Sequence, residues 1–172
     1  MAPVPVVGVD DAIAVVAGET HACIARQDGT VWCWGDNEHG KLALDSGLIV
    51  MKDAPVQIPG LSDIVALDAA DDRTSAVDSA GFVWCWGDEW PPIPGDDAFD
   101  SWSVDGPYPD YLPTAVEGLA DVVAVAVGGA HACALAFGGQ VTCWGDNDYG
   151  ELGSGVRWST APVKVVGLGP VM

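Results

Sequence analysis

The chain has 172 residues, of which 49% are apolar and 18% charged, so it can bury a sizeable core and does not read as disordered. Its 25 acidic side chains against 6 basic ones give a formal charge of -19, with no Lys or Arg between Thr74 and Val156. Such a surface repels a phosphate backbone and an anionic bilayer, so no nucleic-acid partner is expected. No apolar run approaches the roughly 20 residues that span a bilayer, so no membrane insertion is expected either.

The N-terminus, MAPVPVVGVDD, has neither the basic region nor the long apolar stretch of a signal peptide. From Pro3 onward the chain repeats. Valine-rich segments open at Pro3, Pro55, Pro113 and Pro162, each followed by a glycine at Gly8, Gly60, Gly118 and Gly167. The prolines are 52, 58 and 49 residues apart, a spacing at which one supersecondary unit recurs in propellers and solenoids. The units therefore run 3–54, 55–112 and 113–161, with 162–172 opening a fourth, all within one arc over 1–172.

After each turn come DAIAVVAG from Asp11, DIVALDAA from Asp63 and DVVAVAVG from Asp121. These short, Val- and Ala-rich, glycine-bounded stretches read as strands buried on both faces. A hairpin follows. A three-residue loop Gln27-Asp28-Gly29 with a left-handed glycine places Cys23 opposite Cys33, and Phe137-Gly138-Gly139 does the same for Cys133 and Cys143. In the second unit Ser79-Ala80-Gly81 puts Ser75 opposite Cys85.

Directly opposed cysteines on antiparallel strands lie about 4.5 to 5.5 Å apart at Cα, within disulfide range. Both members are present where a bridge is possible, and Cys85, whose partner position is a serine, stays an unbridged thiol. Disulfides persist in oxidising compartments, so an extracellular or periplasmic protein is expected, its leader lost or its parent chain longer. The alternative is five buried thiols in a cytosolic protein. His21 and His131 sit two residues before Cys23 and Cys133, which raises a zinc reading. It lacks a fourth ligand and fails where Arg73 replaces His, so no metal or cofactor is expected; hydrogen bonds between units suit the histidines better.

WCWGDN at Trp32 to Asn37 returns as WCWGDE at Trp84 to Glu89 and TCWGDN at Thr142 to Asn147. Together with GGAHACALAFGGQVTCWGDNDYGELGSG from Gly128 to Gly155, these motifs resemble the regulator of chromosome condensation repeat over nearly the whole chain, and the paired cysteines look like its bacterial exported branch. The resemblance implies an all-β fold, a partial β-propeller of about three four-stranded blades plus the first strand of a fourth. An open arc leaves unpaired edges, so further blades or a second copy would complete the ring. Trp34, Trp86 and Trp144 are expected between blades, and Asp36, Asp88 and Asp146 in Asx-turns.

The second unit departs from the repeat after Asp88. Its loop, 88–112, is proline-rich, has no basic residue, and sets Trp90, Phe99, Trp102, Tyr108 and Tyr111 among Asp96, Asp97, Asp100 and other acids. Aromatic anchors ringed by acids suit recognition of a basic or mixed protein partner. The other reading folds the loop back over the rim. Calcium is disfavoured because Asp96, Asp97 and Asp100 lack the spaced D-x-D-x-D-G pattern.

Four functions are compatible with such a scaffold: an exported binding module, as in the family's secreted β-lactamase inhibitor; nucleotide exchange with chromatin binding; ultraviolet-B sensing; or hydrolysis. Exchange with chromatin binding lacks a basic tail, and light sensing lacks arginines beside the tryptophans, Arg26, Arg73 and Arg157 being all there are. Hydrolysis lacks a placed nucleophile and base, since His39 is a lone loop residue and Ser75 sits mid-strand. The expectation is a non-catalytic, exported protein-binding scaffold acting through rim loops on an unidentified protein.

Overall fold

A computed structural model describes residues 2–87, 112–156 and 158–167. These form three four-stranded antiparallel sheets. The first holds β1 (Ala12–Ala17), β2 (His21–Arg26), β3 (Val31–Asp36) and β4 (Met51–Gln57), in that spatial order. The second holds β5 (Ile64–Ala70), β6 (Arg73–Asp78), β7 (Val83–Gly87) and β8 (Thr114–Ala115). The third holds β9 (Val122–Val127), β10 (His131–Ala136), β11 (Val141–Asp146) and β12 (Trp158–Lys164).

The central hairpins take the expected register. Cys23 faces Cys33, Ser75 faces Cys85, and Cys133 faces Cys143. Each turn is closed by the same pair of backbone bonds, as in Arg26 N–H to Thr30 O at 2.9 Å and Gly29 N–H to Arg26 O at 3.0 Å. The glycine at the tip meets two demands at once. Gly29 has φ 78°, and a Cβ there would lie 2.6 Å from the backbone nitrogen of Asp63 on the next unit. Gly81, at φ 83°, would meet Asp121 Cα at 2.9 Å. A side chain at either position would both strain the turn and push the sheets apart.

The sequence repeat and the sheets are out of phase by one strand. The Pro-Val segment that opens each repeat supplies the outer strand of the preceding sheet: Pro55 lies in β4, Thr114 and Ala115 form β8, and Pro162 lies in β12, paired with β11. The 162–172 segment thus opens a fourth repeat in sequence while its strand closes the third sheet in space. Pro55 and Pro162 are tolerated because these outer strands are sheet edges, where a missing N–H breaks no central ladder.

One expectation needs correction. The first strands are not buried on both faces: Ile13, Val65 and Val123, which share a repeat position, are 54%, 52% and 46% exposed. These strands are sheet edges too, and this side chain in each has, among the described residues, no layer over it; in β1 Val15 is exposed as well, at 71%.

The core lies between the sheets rather than within one. Cys23, Val31, Cys33, Leu42 and Ile58 of the first sheet and its loops pack against Ile64, Ala76 and Trp86 of the second. Val77, Val83 and Cys85 then pack against Val122, Ala134 and Trp144 of the third. Each fully buried aliphatic side chain contributes about 1.5 to 3 kcal/mol, so the seams dominate the stability of the arc.

Candidate functional site

The connections between the third and fourth strands, 37–50 in the first sheet and 147–157 in the third, are built on one device. Asn37 is fully buried after β3. Its side-chain amide donates to the carbonyls of Leu44 at 3.0 Å and Ile49 at 2.7 Å, and its carbonyl accepts from Leu42 N–H at 2.9 Å. Asn147 repeats the arrangement, accepting from Leu152 N–H at 2.7 Å and donating to Val156 O. The preceding aspartates form the expected Asx-turns: Asp36 accepts from Glu38 N–H at 3.2 Å, and Asp146 from Asp148 N–H at 3.2 Å.

These connections leave the sheets at the rim where the seams are polar. Lys41, in the first of them, is 3% exposed and reaches Thr20 Oγ1 at 2.8 Å, Asp36 Oδ2 at 2.7 Å and, across the seam, Asp72 Oδ1 at 2.7 Å. Burial works against its charge, but the bonds to the two carboxylates outweigh that and hold its pKa above the ordinary lysine value. The Lys41 carbonyl accepts from Trp86 Nε1 at 3.0 Å. Beside it His21 shares a 2.7 Å hydrogen bond with Thr74 Oγ1 of the second sheet, the contact between units expected of the histidine. Burial, and next the Lys41 ammonium, push the His21 pKa down to about 4. At the next seam Arg73 donates to Gly129 O, and Val127 N–H donates to Asp68 Oδ2 at 2.7 Å. The rim ends of the three sheets are thereby locked side by side.

Trp86 lies two residues before the loop of the second unit begins. Asp88, Trp90, Asp96, Asp97, Phe99, Asp100, Trp102, Tyr108 and Tyr111 all lie outside the described residues. In the corresponding connections of the other two sheets, Leu48, Val50 and Met51 are 82%, 69% and 59% exposed, and Tyr149 and Trp158 are 94% and 55% exposed.

The disulfides stand as the register requires. Cys23 and Cys33 are joined with their Cα atoms 4.1 Å apart, and Cys133 and Cys143 at 4.0 Å. Cys85 is buried and lies 2.8 Å from Ser75 Oγ. Bridging removes Cys23 and Cys133 as zinc ligands beside His21 and His131, and no group of three His, Cys, Asp or Glu side chains suited to a metal occurs among the described residues. No helix among them is long and apolar enough to cross a membrane.

Sequence reasoning missed Asn37, Asn147 and Lys41. The asparagines carried a signal, since they follow the repeated Gly-Asp in the first and third copies and give way to Glu89 in the second, where the loop changes. Lys41 carried none, being a feature of one copy.

Three like sheets, packed face to face with tryptophans between them, define an arc of a β-propeller. The chain belongs to the family of the regulator of chromosome condensation (RCC1) repeat, whose models match residues 12–41, 122–151 and 28–77. The human E3 ubiquitin-protein ligase HERC2 is 30% identical over 151 residues, covering 83% of this chain and 3% of the ligase. The mouse regulator of chromosome condensation is 27% identical over 143 residues, covering 83% of this chain and 33% of that protein. Among solved structures, yeast RCC1 (Prp20) bound to Kap60 superposes with a TM-score of 0.75 at 20% identity, over 92% of this chain and 37% of that one. Human WBSCR16 gives 0.71 at 22% identity, over 91% and 38%. The chain thus spans well under half the length of these relatives.

Proposed function

We propose that this chain is a non-catalytic protein-binding module of an exported propeller, and that it contacts its partner through the rim loops. The observation that carries the reading is the interruption of one rim device. Two of three connections between third and fourth strands are fixed by a buried asparagine, and the second unit carries an acidic, aromatic insertion in place of it, while Leu48, Met51, Tyr149 and Trp158 in the other two units are exposed. Rigid seams beneath a variable loop are the usual arrangement for recognition, because the scaffold limits the entropy lost on binding.

The chemistry favours a protein carrying basic and apolar groups. Trp90, Phe99, Trp102, Tyr108 and Tyr111 would supply buried anchors, and Asp96, Asp97 and Asp100 would steer a cationic surface. Export is supported by two cysteine pairs at disulfide distance. Yeast RCC1 (Prp20) bound to Kap60, and Prp20p with its binding to Gsp1p and histones, support protein binding as a reading for this fold. Hydrolysis and β-lactamase-type inhibition remain the alternatives: the first needs a nucleophile and base brought together, the second is itself a form of protein binding.

The test is capture from the native extracellular milieu by the intact chain and by a W90A/W102A double variant, with captured proteins identified by mass spectrometry. Loss of a specific partner with the double variant supports the rim. Equal capture by both proteins refutes it.

A further inference from the structure

The hairpin tips stand at the ends of the strands opposite the rim connections, and one repeated set of backbone bonds fixes them. Gln27 N–H donates to Asp11 O at 3.0 Å, Ser79 N–H to Asp63 O at 2.9 Å and Phe137 N–H to Asp121 O at 2.7 Å. Two of the tips are also tied to the next sheet, Gly29 O accepting from Ile64 N–H at 3.0 Å and Gly81 O from Val122 N–H at 3.3 Å. Any residue other than proline supplies the first set of bonds. The fold therefore makes no demand on the side chains of Gln27, Ser79 and Phe137, and all three are exposed.

Phe137 is the one aromatic at this position, and its ring is 85% exposed. It borders a cleft of about 220 Å³ at the second seam, between the tip of the second sheet and β9, with Ser79, Ala80, Gly81, Asp121 and Val123 as the other walls. Pockets for small molecules run to about 300 to 1,000 Å³, so the cleft suits a single side chain and not a cofactor. At the first seam Asp28 stands where Ala80 stands here, and Ser79 where Phe137 does. The aromatic wall and the shortened wall facing it belong to the second seam. Its floor is packed backbone, since a Cβ on Gly81 would lie 2.9 Å from both Asp121 Cα and Val122 N.

Charge selects the occupant. The tips and the segments bonded to them carry Asp11, Asp28, Asp63, Asp78 and Asp121 against one cation among the described residues, Arg26, which Asp11 holds at 2.7 Å. Asp28 and Asp78 are engaged in their own turns, accepting from Thr30 N–H and Ala80 N–H. The Asp121 carboxylate makes no hydrogen bond or ion pair among the described residues. An exposed aromatic ring, an uncommitted carboxylate and an apolar surface, here Val123 at 46% exposure, are the contacts that a long cationic side chain uses. Arginine fits best, because its planar head stacks on a ring and reaches a carboxylate with the same group.

We propose that this cleft is a docking site for an arginine side chain of a protein partner, with the guanidinium over the Phe137 ring and against the Asp121 carboxylate, and its stem on Val123. The site lies at the end of the sheets away from the 88–112 loop, so it does not rest on the rim reading.

The test is titration of the isotope-labelled chain with acetyl-Gly-Arg-Gly-amide, with the uncharged citrulline peptide of the same shape, and with methyl glucoside, read by amide chemical shifts. The arginine peptide is expected to shift the Gly81, Val122, Val123 and Phe137 amides saturably and more weakly at high salt, and the other two probes to leave them in place. F137S installs the residue that the second sheet carries at that position, and D121N keeps a side chain that tolerates the left-handed backbone of Asp121, at φ 54°. Each is expected to weaken binding about 5-fold or more. D63N, the same change at the first seam, is expected to leave binding unchanged. Dispersed spectra establish that each variant is folded, and F137S carries the test if D121N is not. Equal shifts with the citrulline peptide, saturation by the glucoside alone, undiminished binding by F137S, or no shift at these amides overturns the proposal. So does an equal loss in D63N and D121N, which would mean diffuse charge and no built cleft.

Discussion

Ser75 Oγ lies 2.8 Å from Cys85 Sγ, with both residues 1% exposed, in the register that joins cysteines in the first and third sheets. The second sheet therefore carries a disulfide site with one half filled by a hydroxyl. S75C is expected to close a third bridge without backbone movement. The loop it closes is short, so the gain is about 2 to 3 kcal/mol, from restricting the unfolded chain. Comparison of urea midpoints for S75C and wild type, with and without reductant, checks this: the gain should vanish on reduction.

The two existing bridges differ in access. Cys23 and Cys33 are both fully buried in the seam between the first and second sheets, whereas Cys133 sits partly exposed on the trailing face of the third. Exchange requires a thiolate to reach a sulfur in line, so access controls the rate. Graded reduction of the protein should cleave Cys133–Cys143 well before Cys23–Cys33. Alkylation and peptide mapping at each step would reveal the order.

The polar seam also predicts a pH dependence. His21 is 4% exposed, its Nε2 is bound to Thr74, and its Nδ1 has no hydrogen-bond partner among the described residues. Burial, and next the neighbouring Lys41 ammonium, disfavour the protonated ring, and its pKa falls from 6.5 to about 4. The unfolded chain then binds a proton in that window and the folded chain does not. Stability is full above pH 6.5 and is lost as pH drops toward 4, on the order of 3 kcal/mol in total. Asp36 adds a separate loss at lower pH. Burial tends to raise its pKa, but the Lys41 hydrogen bond wins and holds it below the usual carboxylate value, so its contribution disappears as pH falls through that lowered value. Thermal melts between pH 7 and 4 should show the slope in wild type and a flatter one in H21Q.

The hairpins were legible in the sequence because a period of two, a left-handed glycine and opposed cysteines each specify the same register. Nothing local says which sheet an edge strand joins: Pro55 reads as the opening of a repeat, yet its strand is held by β3, because closure of a sheet depends on contacts between repeats. Burial of the first strands was overestimated for a similar reason. Val15 and Leu67 are equivalent in pattern, and only the neighbouring sheet makes one exposed and the other packed. Lys41 was invisible because its two carboxylates come from Asp36 and Asp72, brought together only by the seam.

Replacing Lys41 tests that seam directly. Its ammonium is nearly out of water, while Asp36 and Asp72 keep partial exposure at 35% and 27%. K41M preserves the packed stem but leaves both carboxylates without their cation. Breaking a fully buried pair costs about 3 to 5 kcal/mol, and the remaining hydration of these two acids brings the expected loss nearer to about 2. K41M/D72N, which removes one of the stranded charges, should recover part of it. Chemical denaturation of the two variants measures both figures, and a double variant no better than K41M would mean that Asp72 is held by water and not by the lysine.

Asn37 ties the seam to the rim. Three bonds from one buried side chain fix the path from Leu42 to Ile49, and N37A leaves Leu42 N–H and two carbonyls to be satisfied elsewhere in a site that is 0% exposed. The cost is about 2 to 4 kcal/mol. N37D keeps the acceptor for Leu42 but turns a charge toward the carbonyls of Leu44 and Ile49, so it should be no milder. Hydrogen exchange separates a local from a global effect: the Leu42 and Ala43 amides should lose protection in N37A while Cys23 and Val31, inside the seam, keep theirs. If the rim binds the partner, N37A should also weaken that binding, because the rim loop bearing the exposed Leu48 and Val50 is then no longer held in place.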